Sequence, residues 1–489
     1  MSEKRLSPGV FTNEIDQSFL PATLGPIGAA IVGPTVRGPM LNPTVVSSYS
    51  EYVSIFGDII QSGSDSYQYL TSHTAKEYLR TGGPCTIVRV GDPASGALPT
   101  KATSTVYSGS MGVRTGADIE LFTLESLGHG PTYNSVTGSL GYGTDNLISP
   151  ATGSAVDFTV GVYGGHPHNF KWEISQQNTN KGTFTILIRQ GDDTTKTKKI
   201  LETHPNLSLD PYSSDYILKR IGDTSYTIGT ETSAGVTKAF VKPTGTFPNK
   251  SRFVRVKNLP EEAKTPNYLD SNGSVNNPYS GASTLGVGWR GLPEVGSGSK
   301  AGGFEGGDFG ATGMQTHPFA FYDNIALDNN QGIKMSVAGI ASLIGTTGGY
   351  STALSILENK DEYDFNVLYL PGVIDQLGTG PDDVIDQAIQ LCEFRGDCFL
   401  VYDNTSKTDT VAQAKTKTEA RNSSYAATYY PWVQIQDAVL GTYRFVPPSV
   451  VLSGVYHFND TVGQPWFAPA GLNRGGIDSA VQAYKKLSQ

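Results

Sequence analysis

FNVLYLPG (365–372), PDDVIDQAIQLCEFRG (381–396) and DCFLVYD (397–403) follow one another in the second half of the chain. The first is a continuous apolar run of strand length. The second opens with Pro381 and the acids Asp382 and Asp383. They suit a helix first turn, because proline's φ is already helical and the acids face the positive end of the helix dipole. Val384, Ile385, Ala388, Ile389 and Cys392 then recur at helical spacing and line one face. The third run is a strand again. Two strands joined through a helix lie parallel, with a right-handed crossover. The stretch therefore predicts an α/β layer.

The same grammar extends outward. GGYSTALSILENK (348–360) is a helix candidate, YRFVPP (443–448) a strand, and PSVVLSGVYHF (448–458) a helix with Pro at its start. At the other end of the chain, IGAAIVG (27–33) and CTIVRV (85–90) read as strands. Between them Tyr69, Leu70, His73, Glu77 and Leu79 lie at near-helical spacing, and Gly82-Gly83 supplies a stop.

From about 98 to 319 the texture changes. Ser, Thr, Gly and Asn dominate, and KWEISQ (171–176), GTFTILIRQ (182–190) and SRFVRVK (251–257) alternate as half-buried antiparallel strands do. GDDTTKTKK (191–199) reads as a solvated turn. The predicted fold class is α/β (α+β) and multidomain. Residues 21–97 and 320–489 form a mixed α/β core near both chain ends, and 98–319 form an inserted β-rich domain. Residues 1–20 are too short and polar to pack alone. With Leu6, Val10 and Ile15 as spaced apolar points, they read as a terminal arm, either frayed or adding a strand to another subunit's sheet.

Composition sets bounds on function. With 57 glycines and 17% charged residues in 489, the chain suits many strands joined by tight turns. A net charge of −9 with no basic block argues against nucleic acid as a partner. Three cysteines, at 85, 392 and 398, do not make a disulfide framework, and a reducing compartment is expected. No apolar run reaches the roughly 18 residues that a membrane-spanning helix needs, and no membrane insertion is expected.

No motif completes a catalytic site. His166 and His168 lack further ligands at metal-site spacing. GTTGGYS (345–351) lacks the Lys-Ser/Thr of a phosphate loop, and GGFEGGDFG (302–310) has no ordered glycine frame. No G-x-S-x-G elbow is present, and His457 has no partnered Ser signature. Cys392 and Cys398 end a helix and begin a strand, where buried Cys packs as a small hydrophobe. No enzyme activity, cofactor or metal is expected.

One series of motifs runs the length of the chain: LSPGV (6–10), IVGPTVRGP (31–39), YVSIFGD (52–58), AKEYLRTGGPCTIVRV (75–90), ILETHPNLSLDPYSSDYILKRIGD (200–223), AGGFEGGDFG (301–310), YYPWVQI (429–435), VPPS (446–449) and WFAPAGLNRGG (466–476). In this order they resemble the tail sheath proteins of contractile-tailed bacteriophages and related contractile injection devices. The resemblance implies an α/β core with inserted β-rich material. It also implies a subunit that stacks in six-membered rings as a helical sleeve around an inner tail tube, ending at baseplate and tail terminator proteins. Such a sleeve is part of the virion and is assembled in the host cytoplasm. It is built extended and metastable, then shortens to drive the tube through the target envelope without nucleotide hydrolysis. Open-ended heterologous contacts and two packings of one subunit are what this needs.

In that family the chain continues past the N-R-G motif with a segment that completes the core, faces the tube and links neighbours. The expectation is therefore that the chain as given is a shortened form, monomeric or in small oligomers. In WFAPAGLNRGG, Gly471, Gly475 and Gly476 are expected to let the chain turn tightly, with Asn473 satisfying backbone groups and a short helix opening near Asp478. Arg474 either caps a carboxylate of its own domain or makes an inter-subunit or tube-facing ion pair. Two rival readings remain: a β-rich virion adhesin or glycan-binding module, and a hydrolase with a degenerate site.

Overall fold

A computed structural model describes residues 28–35, 38–62, 65–90, 101, 103–107, 120–128, 170–190, 197–198, 200–233, 236–279, 291–293, 295–297, 349–373, 384–436, 441, 443–463 and 467–486. The first part of the chain runs β1 (Gly28–Gly33), β2 (Thr44–Val46), α1 (Tyr49–Phe56), β3 (Ile59–Ser62), β4 (Asp65–Gln68), α2 (Leu70–Leu79) and β5 (Cys85–Arg89). The YVSIFGD motif is thus mostly helix. Ser48 caps it by accepting from the Glu51 N–H, and Gly57, at φ 76°, ends it.

The middle contributes β6 (Thr103–Tyr107), β7 (Glu120–Ser126), β8 (Phe170–Asn178), β9 (Thr183–Gln190), β10 (Ile200–Ser208), the single-turn α3 (Ile217–Arg220), β11 (Ser225–Ser233), β12 (Val236–Thr244), β13 (Val254–Asn258) and β14 (Gly296–Ser297). The last part runs α4 (Gly349–Leu357), β15 (Phe365–Tyr369), α5 (Val384–Arg395), β16 (Phe399–Tyr402), α6 (Val411–Glu419), β17 (Ala426–Thr428), β18 (Val433–Gln436), β19 (Tyr443–Val446), α7 (Pro448–Val462) and β20 (Ala480–Ala483).

A six-stranded sheet in the order β17-β16-β15-β1-β5-β2 organises the α/β part. Its first five strands are parallel, and β2 joins antiparallel at the edge. Within the stretch 365–403, β15 and β16 pair in parallel as the pattern predicts, with Leu368 opposite Leu400, on either side of α5; the predicted helix start at Pro381, Asp382 and Asp383 lies outside the described residues. β1 is buried throughout, and its side chains alternate between two cores. Ala30 and Val32 join Leu368, Leu400 and the apolar faces of α4 and α5. Ala29 and Ile31 join Val367, Tyr369, Val401 and residues of α1 and α2. α2 buries polar residues as well, which its near-helical apolar spacing did not show. Thr74 Oγ1 satisfies itself on the Leu70 carbonyl, and Ser72 Oγ donates to Asp58 at 2.5 Å.

In the middle, sheets β10-β9-β8-β14 and β13-β7-β6 share a core of Phe122, Leu124, Trp172, Phe184, Ile186 and Val254. β9 is not half-buried as its alternation suggested. Its opposite face is covered too, and Arg189 there is neutralised by Glu173 at 2.7 Å, which also meets Lys198. Most of GDDTTKTKK lies outside the described residues.

The hairpin β11–β12 belongs to neither sheet. It reaches the α/β part. The Ala239 N–H donates to Ser355 Oγ of α4, Lys238 pairs with Glu358 at 2.7 Å, and Val241 joins the α4–α5 core. A two-stranded ribbon has too little core of its own, so this packing is what holds it.

Candidate functional site

Two places qualify by position: the carboxyl ends of the parallel strands, where α/β folds bind ligands, and the C-terminal sheet, where apolar residues meet solvent.

At the first place Asp403 follows β16 and is buried. Its Oδ1 accepts from the Ser449 N–H at 3.1 Å. Its Oδ2 accepts from Ser449 Oγ at 2.5 Å and from the Gly372 N–H at 3.2 Å. Burial pushes its carboxyl up to about 6, and these hydrogen bonds oppose the rise. The group holds the first turn of α7 against the end of the sheet, and three donors occupy it. His457 lies eight residues further along α7, about 12 Å by helical rise. It stacks on Tyr78 with ring centres 4.4 Å apart, and burial lowers its pKa. Ser449 and His457 therefore do not form a nucleophile–base pair. Cys392 and Cys398 belong to the α4–α5 core, as small hydrophobes would. Among the described residues no group of His, Cys, Asp and Glu could hold a metal ion. His166, His168 and GGFEGGDFG lie outside the described residues, as do 345–348 of GTTGGYS; its last three residues open α4.

At the second place β19, β18 and β20 form an antiparallel sheet with β18 central. Its inner face packs Ile435 and Val446 on Val450 and Val451 of α7 and Leu70 of α2. On the outside, Tyr484 meets Phe445 edge-on, and Lys407 stands over both rings. No strand among the described residues pairs with the outer side of β20. Val481, skipped by the register with β18, is 53% exposed. An open edge of this kind is a template for a further strand.

FAPAGLNRGG (467–476) lies between α7 and this edge along the chain, and Trp466 lies outside the described residues. Asn459 of α7 tethers it by donating to the Phe467 carbonyl at 3.0 Å. Gly471 takes φ +79°, and the Gly475 N–H closes the turn on the Gly471 carbonyl at 2.8 Å. A side chain at Gly475 would collide with Ala470. Asn473 points to solvent, without a side-chain hydrogen bond among the described residues. Its expected role in the turn falls to backbone bonds. Leu472 is fully exposed. Arg474 stacks its guanidinium 4.5 Å from the centre of the Phe467 ring, and no carboxylate among the described residues pairs with it. The chain after Asp478 forms β20 and not a short helix. Ile477 joins the inner face of the sheet, and that fixes an extended course. Leu6, Val10 and Ile15 lie outside the described residues.

β20 escaped the sequence reading because AVQA carries little β-propensity. The signal available was the YYPWVQI and YRFV pair, which needs a third strand to be stable.

No known protein-family model matches the chain, and no curated protein does. Among solved structures it is similar to a sheath tail protein from Listeria innocua, with 8% identity and a TM-score of 0.36 over 95% of this chain and 62% of that one. It is also similar to a sheath tail protein from Desulfitobacterium hafniense, with 11% identity and a TM-score of 0.33 over 98% of this chain and 68% of that one. The chain thus spans less than two thirds of the Listeria protein's length.

Proposed function

We propose that this chain is a structural subunit of a contractile tail sheath. The open outer edge of β20 carries the reading in geometry, and the ordered motif series from LSPGV to WFAPAGLNRGG supports it in sequence. Among the described residues the edge offers unpaired strand backbone and exposed Val481, and the segment that leads into β20 exposes Phe467 and Leu472. An arm from a neighbouring copy, with Leu6, Val10 and Ile15 on it, supplies a matching segment. Pairing of this sort is heterologous and propagates into a helix.

In this reading copies of the chain form six-membered rings stacked around an inner tail tube, between baseplate and tail terminator proteins. The assembly forms in the host cytoplasm and is carried on the virion. Contraction repacks the rings while flexible strand links keep neighbours connected, and the free energy comes from packing alone. No turnover is needed, which accords with an Asp403 whose oxygens are all engaged by the chain's own donors.

Immunogold labelling of the tailed particles, with antibodies raised against the purified chain, tests this. Gold along the whole tail sleeve is expected. Gold confined to fibres or the tail tip would overturn the reading in favour of an adhesin, and unlabelled particles would overturn both.

A further inference from the structure

The end of α5 and the start of β16 bring two thiols together. Cys392 and Cys398 share a hydrogen bond at 3.4 Å between sulfurs, and neither is in a disulfide. The turn between them is held on both sides. Gly396 takes φ +70°. Buried Arg395 donates to the carbonyls of Leu357 at 2.6 Å and Tyr363 at 2.9 Å and pairs with Asp397 at 2.9 Å. Its guanidinium also lies 4.2 Å from the centre of the Phe365 ring. The pinned turn holds the two sulfurs facing each other at 3.4 Å, and a disulfide requires them to close to about 2.05 Å.

We propose that Cys392 and Cys398 are a reversible dithiol–disulfide pair, with Cys398 the sulfur that reacts first and Cys392 the one that resolves it. Two differences set that order. Cys398 is the more accessible, at 4% exposed against 0%, and it borders the exposed Asp397 turn. The hydrogen bond between the two sulfurs, helped by the Arg395 charge and opposed by burial, lowers the Cys398 pKa, and the same bond together with burial raises that of Cys392.

The oxidant is a peroxide. Cys398 loses its proton, and its thiolate attacks one peroxide oxygen and breaks the O–O bond, giving a sulfenic acid and a hydroxide that takes up that proton as water. Cys392, losing its proton, attacks the Cys398 sulfur and expels hydroxide, which takes that proton as a second water. Two S–H bonds break, one S–S bond forms, and two electrons reduce one peroxide to two waters. Cys85 lies in the other core, fully buried and with burial raising its pKa, and stays reduced. The pairing stands apart from the assembly reading; only its timing rests on it. A sheath made in a reducing cytoplasm and then released into an oxidising medium would acquire its cross-link after assembly.

The test uses the purified full chain treated with hydrogen peroxide, alkylated under denaturing conditions and weighed intact. The expected result is one alkyl label in place of three, on a chain about 2 Da lighter once that label is subtracted, both reversed by a thiol reductant added before alkylation. Oxidation should raise Tm by roughly 2–8 °C. Cys392→Ser should stop at the Cys398 sulfenic acid or go on to the sulfinic acid, gaining about 16 or 32 Da. Three alkylatable thiols after peroxide, or oxygen addition without a disulfide in the unsubstituted chain, would overturn the pairing. An unchanged or lower Tm of the disulfide form would overturn its stabilising effect.

Discussion

Asp403 and Ser449 are joined twice: the carboxylate after β16 accepts from both the backbone N–H and the hydroxyl in the first turn of α7. This clasp gives the first prediction. The Asp403 carboxyl is raised from 3.8 to about 6, so the folded chain binds that proton more tightly than the unfolded chain. Its contribution is most favourable below about pH 3.8, declines as pH rises to about 6, and is flat above. The decline amounts to about 3 kcal/mol. Asp403→Asn removes it. In urea unfolding at pH 4 to 7, the variant should gain on the parent by that amount as pH rises. Parallel profiles would refute the assignment.

Ser449→Ala leaves the buried carboxylate with two backbone donors. A loss of about 1–3 kcal/mol at pH 7 is expected. Ser449→Thr keeps the hydroxyl and should recover part of it. Equal losses in both variants would mean that crowding, not the hydrogen bond, sets the effect.

Val481→Asp places a charge on the open edge of β20. Because Val481 is largely exposed, the subunit itself should stay within about 0.5 kcal/mol of its parent. Sedimentation of assembly mixtures should nevertheless show polymer lost. Unchanged polymer would remove β20 from the interface.

Arg474→Ala loses its stacking on Phe467, and about 0.5–1 kcal/mol of stability is expected to go with it. If Arg474 also meets a carboxylate of a neighbouring copy, assembly becomes less sensitive to salt in the variant than in the parent. Identical salt curves would leave it only the local role.

Deleting 98–319 and closing the gap with a short linker should leave a core that still unfolds cooperatively, since insertions in surface loops are thermodynamically mild. The deletion also removes Val241, whose side chain is buried against the α4–α5 core, together with the partly buried Ile228 and Ala239. The remaining core should therefore be weaker by about 2–5 kcal/mol. Non-cooperative melting would show the middle to be integral to the core.

What was legible in the sequence was what burial and periodicity write locally. β15, α5 and β16 could be read from 39 consecutive residues, because their apolar patterns serve neighbours in the same unit. β10 was not read as a strand because Pro205 interrupts it. The structure accommodates that proline at an edge of its sheet, where the register slips between His204 and Leu207 and Asn206 takes φ +53°. β11 and β12 are polar on much of their length, and what stabilises them is α4, more than a hundred residues away. The two thiols were visible singly. Their contact depends on a turn geometry that spacing does not encode.

The placing of β1 between β5 and β15 has a consequence for synthesis on the ribosome. One neighbour of β1 emerges soon after it; the other follows roughly 330 residues later, or about 20–60 s at ordinary translation rates. Through that interval the sequence AAIV presents a bare pairing edge and an uncovered apolar side. The nascent chain thus has a built-in waiting period, in which a holding chaperone, or slow codons after β5, would change the yield of native protein without touching any contact in the finished fold.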